Sequence, residues 1–218
     1  MNNKKNHKPC QLYLITPPLI EDPERFAENL RAALSAASVA CLQIRLKGVN
    51  DSAIIQAAKA ITPIAHEYGT MVLINDRPDL VKTCGADGVH IGQDDMDYLS
   101  SRKLLGDDAI IGVTCHNSRE LAFKAAQSGA DYVAFGAFFD TPTKTPKTRA
   151  ELELLTWWQE TVEIPAVAIG GITVKNAESV IIAGADFIAI SSGIWDYKDG
   201  PAPAVSQLSA LCLEHSQS

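Results

Sequence analysis

The sequence predicts a single-domain α/β protein folded as a (β/α)8 TIM barrel, and three observations support this prediction. Eight short apolar runs of strand length are spread along the chain, helical patterns separate most of them, and the tripeptide Gly-Ala-Asp precedes three of the runs. Apolar runs without strict polar alternation, each followed by a helix, are typical of a parallel sheet covered by helices. Eight such units in 218 residues favour a closed barrel over an open doubly wound sheet.

The eight predicted strands carry few charges and are rich in Val, Ile, Leu, Ala and aromatic residues. They occupy residues 11–15, 40–46, 71–75, 87–91, 110–114, 131–137, 166–170 and 186–191. The Gly-Ala-Asp tripeptides before three of them are each a helix stop followed by a strand. Their spacings suit about two βα units each, which accounts for the strands between them.

Helix signals lie between these strands. Asp22 followed by Pro23 indicates a helix start, and Asn117 with Glu120 forms a capping-box pattern. Glycines stand where three helices should end, at Gly69, Gly129 and Gly184. The shortest connection, residues 77–86, leaves room for about two helical turns.

Composition limits the class of protein. The chain has 19 Lys+Arg against 26 Asp+Glu, a net charge of −7, which argues against a nucleic-acid partner. We expect a polar leader at residues 1–9, the barrel at 10–213 and a polar tail at 214–218. Five widely spaced cysteines without a CxxC pair, no signal core and no long apolar span favour a cytoplasmic protein that does not bind a membrane. The sequence leaves open whether the protein forms a homo-oligomer.

In a barrel of this kind the loops at the carboxyl ends of the strands build the active site. At the end of the second strand, Gln43, Arg45 and Lys47 alternate with Leu42, Ile44 and Leu46. A period of two places the three polar side chains on one side of the strand. We interpret this row as a binding site for anions, although a solvated strand end would show the same pattern.

Two carboxylates follow the neighbouring strands. Asp76, after Asn75, ends the third strand, and Asp95 lies just beyond the fourth. Carboxylate and amide oxygens suit Mg²⁺. The alternative is that Asp76 caps the short helix entered through Arg77 and Pro78, with Asp95 a plain loop residue.

The loops after strands six to eight are candidates for a second phosphate site. Thr141, Thr143 and Lys144 offer hydroxyl and ammonium groups. Gly170 and Gly171 precede a helix expected to begin near Thr173, and Ser191 and Ser192 follow strand eight. Loops seven and eight form the usual phosphate site of such barrels.

The histidines and cysteines give weaker signals. His116 follows Thr114 by two on strand five, and either a proton-handling or a structural role suits it. His90 and His66 are expected to have core or surface roles. Cys115 points away from its neighbours, which disfavours a Cys-His nucleophile.

A set of motifs in this order resembles the thiamine phosphate synthase family over nearly the whole chain. The matching segments are QIRLK (43–47), IND (74–76), GADGVHIGQDD (85–95), GVTCH (112–116), GADYVAFGAFF with TPTK (129–144), AIGGIT (168–173) and GADFIAISSGIW (184–195). The resemblance implies a (β/α)8 barrel that joins hydroxymethylpyrimidine diphosphate to hydroxyethylthiazole phosphate and releases diphosphate with the help of Mg²⁺.

The resemblance also implies roles for individual residues. Catalytic roles fall to Arg45, Lys47, Lys144 and Thr114. The pyrimidine diphosphate would be held by Gln43, Arg45, Lys47, Asn75, Thr114 and Lys144. The thiazole phosphate would be held by Thr141, Thr143, Gly171, Ser191 and Ser192. The Mg²⁺ ligands would be Asp76 and Asp95.

The chain departs from the family pattern at three places. Many members read NDD where this chain reads Asn75-Asp76-Arg77, Thr114 replaces the usual serine, and the loop reads Asp140-Thr141-Pro142-Thr143-Lys144 in place of Pro-Thr-x-Thr-Lys. Two alternatives stay open. His116 and the phosphate site of the last two loops would also suit an isomerase similar to the thiazole tautomerases, and the altered Arg77 and Thr114 would suit a non-catalytic binder of thiamine precursors.

Overall fold

The computed structural model describes residues 9–141 and 148–215. Eight parallel strands close into a barrel in the order β1 to β8, with β1 paired to β8. The strands are β1 Gln11–Ile15, β2 Cys41–Ile44, β3 Met71–Asn75, β4 Gly88–Ile91, β5 Ile110–His116, β6 Tyr132–Gly136, β7 Ala166–Ile169 and β8 Phe187–Ile190. The predicted fold class is confirmed, and each predicted strand lies where an observed one does.

Helices alternate with the strands around the outside of the barrel. They are α1 Pro23–Ala36, α2 Asp51–Glu67, α3 Val81–Cys84, α4 Tyr98–Leu105, α5 Arg119–Ser128, α6 Glu153–Thr161, α7 Ala177–Ile182, α8 Ser192–Trp195 and α9 Pro201–Glu214. A 3-10 turn at Pro78–Leu80 leads into α3, and the two together fill the short connection with about two turns, as expected.

Local sequence explains where these helices begin and end. Asp22 caps α1 and its side chain accepts hydrogen bonds from the backbone N–H groups of Glu24 and Arg25. Gly129 ends α5 in the left-handed conformation, φ +96°, which glycine adopts without steric cost.

The capping-box prediction at Asn117 and Glu120 is wrong. The side chain of Ser118 caps α5 instead, accepting a hydrogen bond from Leu121 N at 3.2 Å. Strand β5 continues to His116, and its register shifts between Thr114 and His116. The longer strand places Asn117 in the turn, so the helix begins one residue later than the sequence pattern indicates.

Apolar side chains pack on both faces of the barrel sheet. The larger layer packs between the barrel and its helices and includes Cys115 and Trp158. A smaller cluster fills the barrel interior, composed of Tyr13, Ile15, Cys41, Leu73, Tyr132, Ala134, Val167 and Ala189. A Cβ at Gly112 would lie 1.9 Å from Cζ of Tyr132, so only glycine lets this ring cross the barrel.

All five cysteines fall within the described residues and are free thiols. No helix within residues 9–141 and 148–215 is long and apolar enough to cross a membrane. The expected domain limits stay a prediction, since most of the leader and of the tail lies outside these ranges.

Candidate active site

A cavity of about 400 Å³ opens at the carboxyl ends of the strands. It brings together eleven of the thirteen predicted site residues. These are Gln43, Arg45, Lys47, Asn75, Asp76, Asp95, Thr114, Thr141, Gly171, Ser191 and Ser192. The other two, Thr143 and Lys144, lie outside the described residues.

The end of β2 is anchored to β1 beneath the cavity. The strand itself ends at Ile44, and the backbone N–H of Arg45 donates to Oγ1 of Thr16 at 2.9 Å. Thr16 is fully buried. Burial lowers the pKa of the Arg45 guanidinium, and the nearby Asp76 carboxylate opposes that effect. A half-buried cation with little water around it interacts strongly with an anion that enters the cavity.

A carboxyl pair lies next to this cation. Asp76 adopts φ +63° and its N–H donates to the carbonyl oxygen of His90 at 2.8 Å. Asp95 Oδ2 accepts from the N–H of Gly92 at 2.7 Å. Burial acts to raise the pKa of Asp76, but hydrogen bonds from Lys47 and Asp95 hold it below its ordinary value. Burial and the adjacent Asp76 raise the pKa of Asp95.

Asp95 lowers the pKa of Asp76 and Asp76 raises the pKa of Asp95, the directions expected when a proton held by Asp95 is donated to Asp76. A divalent cation would relieve their repulsion in place of that proton. Among the described residues, no group of three or more His, Cys, Asp or Glu side chains could hold a metal ion. The donor set of two carboxylates fits Mg²⁺, because this ion is commonly bound by one or two carboxylates together with phosphate oxygens of the substrate.

Asp76 does not cap the following turn. The N-cap position of the 3-10 turn is Arg77, and no side-chain hydrogen bond caps that turn. Arg77 turns to Asp51, with contacts of 2.5 and 2.8 Å, and to Asp79, with contacts of 2.8 and 2.6 Å. Its cation is thus neutralised by two carboxylates outside the cavity lining, and the departure from the NDD pattern leaves the carboxyl pair intact.

Loops seven and eight meet on the opposite side of the cavity. Gly171 has φ +66°, and a Cβ there would lie 2.2 Å from the carbonyl oxygen of Asp140. A Cβ at Gly193 would lie 2.5 Å from the carbonyl oxygen of Ile172. Gly193 is therefore needed where the loop after β8 approaches the loop after β7, and Gly171 is needed where the loop after β7 approaches the loop after β6. Gly171, Ser191 and Ser192 all line the cavity.

The helix expected near Thr173 begins at Ala177 instead, because residues 173–176 form a turn closed by the side chain of Asn176. Its Oδ1 accepts from Thr173 N at 2.7 Å and its Nδ2 donates to the carbonyl oxygen of Gly171 at 2.9 Å. The sequence did not single out Asn176. Asn176 directly precedes α7 and has the position of an ordinary N-cap residue, so the sequence does not identify such a turn.

His90 is another residue whose place in the site the sequence did not indicate. It has the expected core position, since it is 7% exposed, but it also lines the cavity. The alternation of Gly88, His90 and Gly92 along β4 indicates inward-facing positions and could have identified it. His116 also lines the cavity, whereas His66 is exposed on α2 and pairs with Asp87 at 2.9 Å.

Comparison with known proteins agrees with this architecture. The family model described as thiamine monophosphate synthase matches residues 12–194. The chain is 54% identical over 202 residues to the thiamine-phosphate synthase of Rhodospirillum centenum, covering 93% of this chain and 97% of that protein. It is 53% identical over 205 residues to the thiamine-phosphate synthase of Hyphomonas neptunium, covering 92% and 93%.

A solved structure shares both fold and sequence. The thiamine phosphate pyrophosphorylase from Pyrococcus furiosus superposes with a TM-score of 0.83 at 31% identity. The superposition covers 94% of this chain and 96% of that one.

Proposed function

The chain belongs to the thiamine monophosphate synthase family, transferases that form thiamine phosphate, and we propose that its cavity joins hydroxymethylpyrimidine diphosphate to hydroxyethylthiazole phosphate. The observation that carries this proposal is the meeting of Arg45, Lys47, Asp76 and Asp95 on one side of a single cavity, with Gly171 on the other. The names of the similar proteins favour a synthase over an isomerase or a non-catalytic binder.

The reaction breaks the bond between the pyrimidine methylene carbon and a diphosphate oxygen. The electron pair of that bond leaves with diphosphate, so negative charge grows on the leaving group. Arg45 and Lys47 would stabilise this charge. Lys144 would have the same role, because it matches the lysine of the family motif. Preorganised cations aimed at developing charge lower a barrier more than the same cations do in water.

The carbon left behind is a cation conjugated with the pyrimidine ring. The thiazole nitrogen then donates its lone pair to that carbon and forms the new C–N bond. The chain's task in this step is to hold the two substrates in contact, since proximity replaces the entropy of a bimolecular encounter. The thiazole phosphate would be held by Thr141, Gly171, Ser191 and Ser192. Thr143 would also hold it, because it matches a threonine of the family motif.

The pyrimidine half would be held by Gln43, Asn75 and Thr114 in addition to the cations. Asp76 and Asp95 would hold Mg²⁺. When bound, the ion would neutralise charge on the leaving diphosphate. Both substrates are small phosphorylated metabolites, which fits the proposed cytoplasmic location.

A substrate-omission assay tests this function. The purified protein is incubated with Mg²⁺ and with both substrates, with each substrate alone, and with both substrates plus excess EDTA. We expect diphosphate and thiamine phosphate in equal amounts only in the complete mixture. An isomerase would transform a single substrate with EDTA present, and a binder would form no product in any mixture.

A further inference from the structure

A chain of hydrogen bonds crosses the barrel interior beneath the cavity. Gln43 Nε2 donates to the hydroxyl of Tyr13 at 2.8 Å, and that hydroxyl lies 2.9 Å from the hydroxyl of Tyr132. The Tyr132 hydroxyl lies 2.8 Å from Nδ1 of His90, whose Nε2 lies 2.7 Å from Oγ1 of Thr114. Gln43, His90 and Thr114 also line the cavity, so both ends of the chain reach the substrate site.

The number of available protons determines which group donates and which accepts in each of these hydrogen bonds. Each tyrosine hydroxyl has one proton to donate. Because Gln43 donates to Tyr13, the proton of Tyr13 goes to Tyr132 and the proton of Tyr132 goes to Nδ1 of His90. If Tyr132 donated to Tyr13 instead, the Tyr13 proton would have no acceptor in this hydrogen-bond network, because Gln43 presents its amino group to the Tyr13 hydroxyl.

The same reasoning assigns the donor and the acceptor in the hydrogen bond between His90 and Thr114. Nδ1 of His90 accepts a hydrogen bond, so the ring carries its proton on Nε2 and donates it to the Thr114 hydroxyl. A hydroxyl that receives a hydrogen bond in this way keeps its own proton for another acceptor. Thr114 lines the cavity, so that acceptor can belong to a bound substrate.

We propose that His90 is a positioning residue that orients the Thr114 hydroxyl as a hydrogen-bond donor to an acceptor atom of the pyrimidine substrate. Tyr132, Tyr13 and Gln43 fix the tautomer of His90 that makes this possible. The inference rests on the proposed function, because it needs Thr114 to contact that substrate. It explains why a buried histidine flanked by glycines lies directly under the cavity.

Two substitutions at His90 separate its two ring nitrogens. In His90→Gln the amide nitrogen reaches about as far as Nε2 and can still donate to Thr114. In His90→Asn the shorter amide reaches only as far as Nδ1 and keeps a partner for Tyr132 alone. We expect His90→Asn to lower kcat/KM for the pyrimidine diphosphate about tenfold, the effect of one lost hydrogen bond, and His90→Gln to lower it by about threefold or less.

A double-mutant cycle tests whether His90 acts through Thr114. In a Thr114→Val background, His90→Asn should cause no further loss of kcat/KM, and KM for the thiazole phosphate should stay unchanged throughout. Losses that multiply, or an equal loss in His90→Gln and His90→Asn, would overturn the inference. Thermal unfolding of each variant identifies any loss that comes from misfolding.

The tautomer can be measured without any turnover. In the substrate-free protein labelled with ¹⁵N-histidine, ring chemical shifts distinguish a proton on Nε2 from one on Nδ1, and the His90→Gln spectrum identifies the His90 signals among the five histidines. We expect the Nε2–H form in the wild type and a mixture in Tyr132→Phe. An Nδ1–H form would refute the inference even if the enzyme is active, whereas an Nε2–H form in a protein without synthase activity would count against the proposed function alone.

Discussion

Lys47 Nζ lies 2.5 Å from Asp76 Oδ2 and joins the ends of β2 and β3 across the mouth of the cavity. The two side chains are 46% and 26% exposed, so water and ligands can reach them. Each member of this ion pair has a second partner in the proposed reaction, the leaving diphosphate for Lys47 and Mg²⁺ for Asp76. The pair therefore keeps both groups in place before the ligands arrive.

Replacing Lys47 by methionine should raise KM for the pyrimidine diphosphate and lower kcat, each by about tenfold or more, because a cation facing the growing charge is lost. Steady-state kinetics with the thiazole phosphate saturating measures this effect. Lys59→Met, on the exposed face of α2, is the matched control and should match the wild type. A Lys47→Met variant with unchanged kinetics would remove Lys47 from the site.

Asp95→Asn should lower kcat by about a hundredfold and raise the Mg²⁺ concentration needed for half of the maximal rate. The amide removes one of the two negative charges available to the ion. Mg²⁺ titrations of the initial rate measure both quantities. The control is Asp97→Asn, two residues away, where asparagine preserves the N-cap hydrogen bond to Ser100 N. Equal effects of the two substitutions would show that Asp95 is not a metal ligand.

Gly171→Ala should raise KM for the thiazole phosphate by about tenfold and leave KM for the pyrimidine diphosphate nearly unchanged. A methyl group there meets the carbonyl oxygen of Asp140, which shifts the loop. Gly85→Ala is a close control, because Gly85 has φ +64° against +66° for Gly171 but no atom lies within 4 Å of its added Cβ. Equal KM values for the thiazole phosphate in the two variants would show that Gly171 is needed only for its positive φ and not for the close approach to Asp140.

Arg77→Ala should leave kcat and both KM values within about twofold of the wild type, because the guanidinium pairs with Asp51 and Asp79 and lies outside the cavity lining. Exposed ion pairs of this kind contribute little to stability. A loss of activity well beyond twofold, with unchanged thermal stability, would place Arg77 in the reaction.

The stability of the metal-free protein should fall as the pH decreases from 6.5 to about 4. Burial lowers the pKa of His90 to about 4, so below pH 6.5 the unfolded chain binds a proton that the folded chain does not. The free energy of unfolding should lose about 3 kcal/mol from this group across that range, and no more below it. Urea unfolding across the range, compared with His90→Gln, isolates this contribution, and identical pH slopes for the two proteins would contradict it.

The barrel was predictable because each strand is a continuous apolar run and several helices carry clear stop signals. Gly129 and Gly184 both adopt a positive φ, as their position after a helical pattern indicates. Strand β5 was predicted two residues short, since its bulge at Thr114 to His116 depends on pairing with β6. No local pattern in the sequence reports such a pairing.

The cavity lining was largely predictable for a similar reason. Gln43, Arg45 and Asp76 are polar residues that interrupt or directly follow apolar strands, and the closed barrel directs such positions to one face. The contact of His90 with Tyr132 was not predictable, because it joins residues 42 positions apart. It also depends on the space that Gly112 leaves for the tyrosine ring.

The most direct test of the site follows the complete reaction by ³¹P NMR with the wild type, Asp76→Asn and Lys47→Met under identical conditions. We expect the wild type with Mg²⁺ to convert both substrates into thiamine phosphate and diphosphate in a 1:1 ratio. Both variants should retain the fold but form product at a small fraction of that rate. Product formation by either variant at the wild-type rate, or by the wild type in excess EDTA, would contradict the proposed roles of Asp76, Lys47 and Mg²⁺.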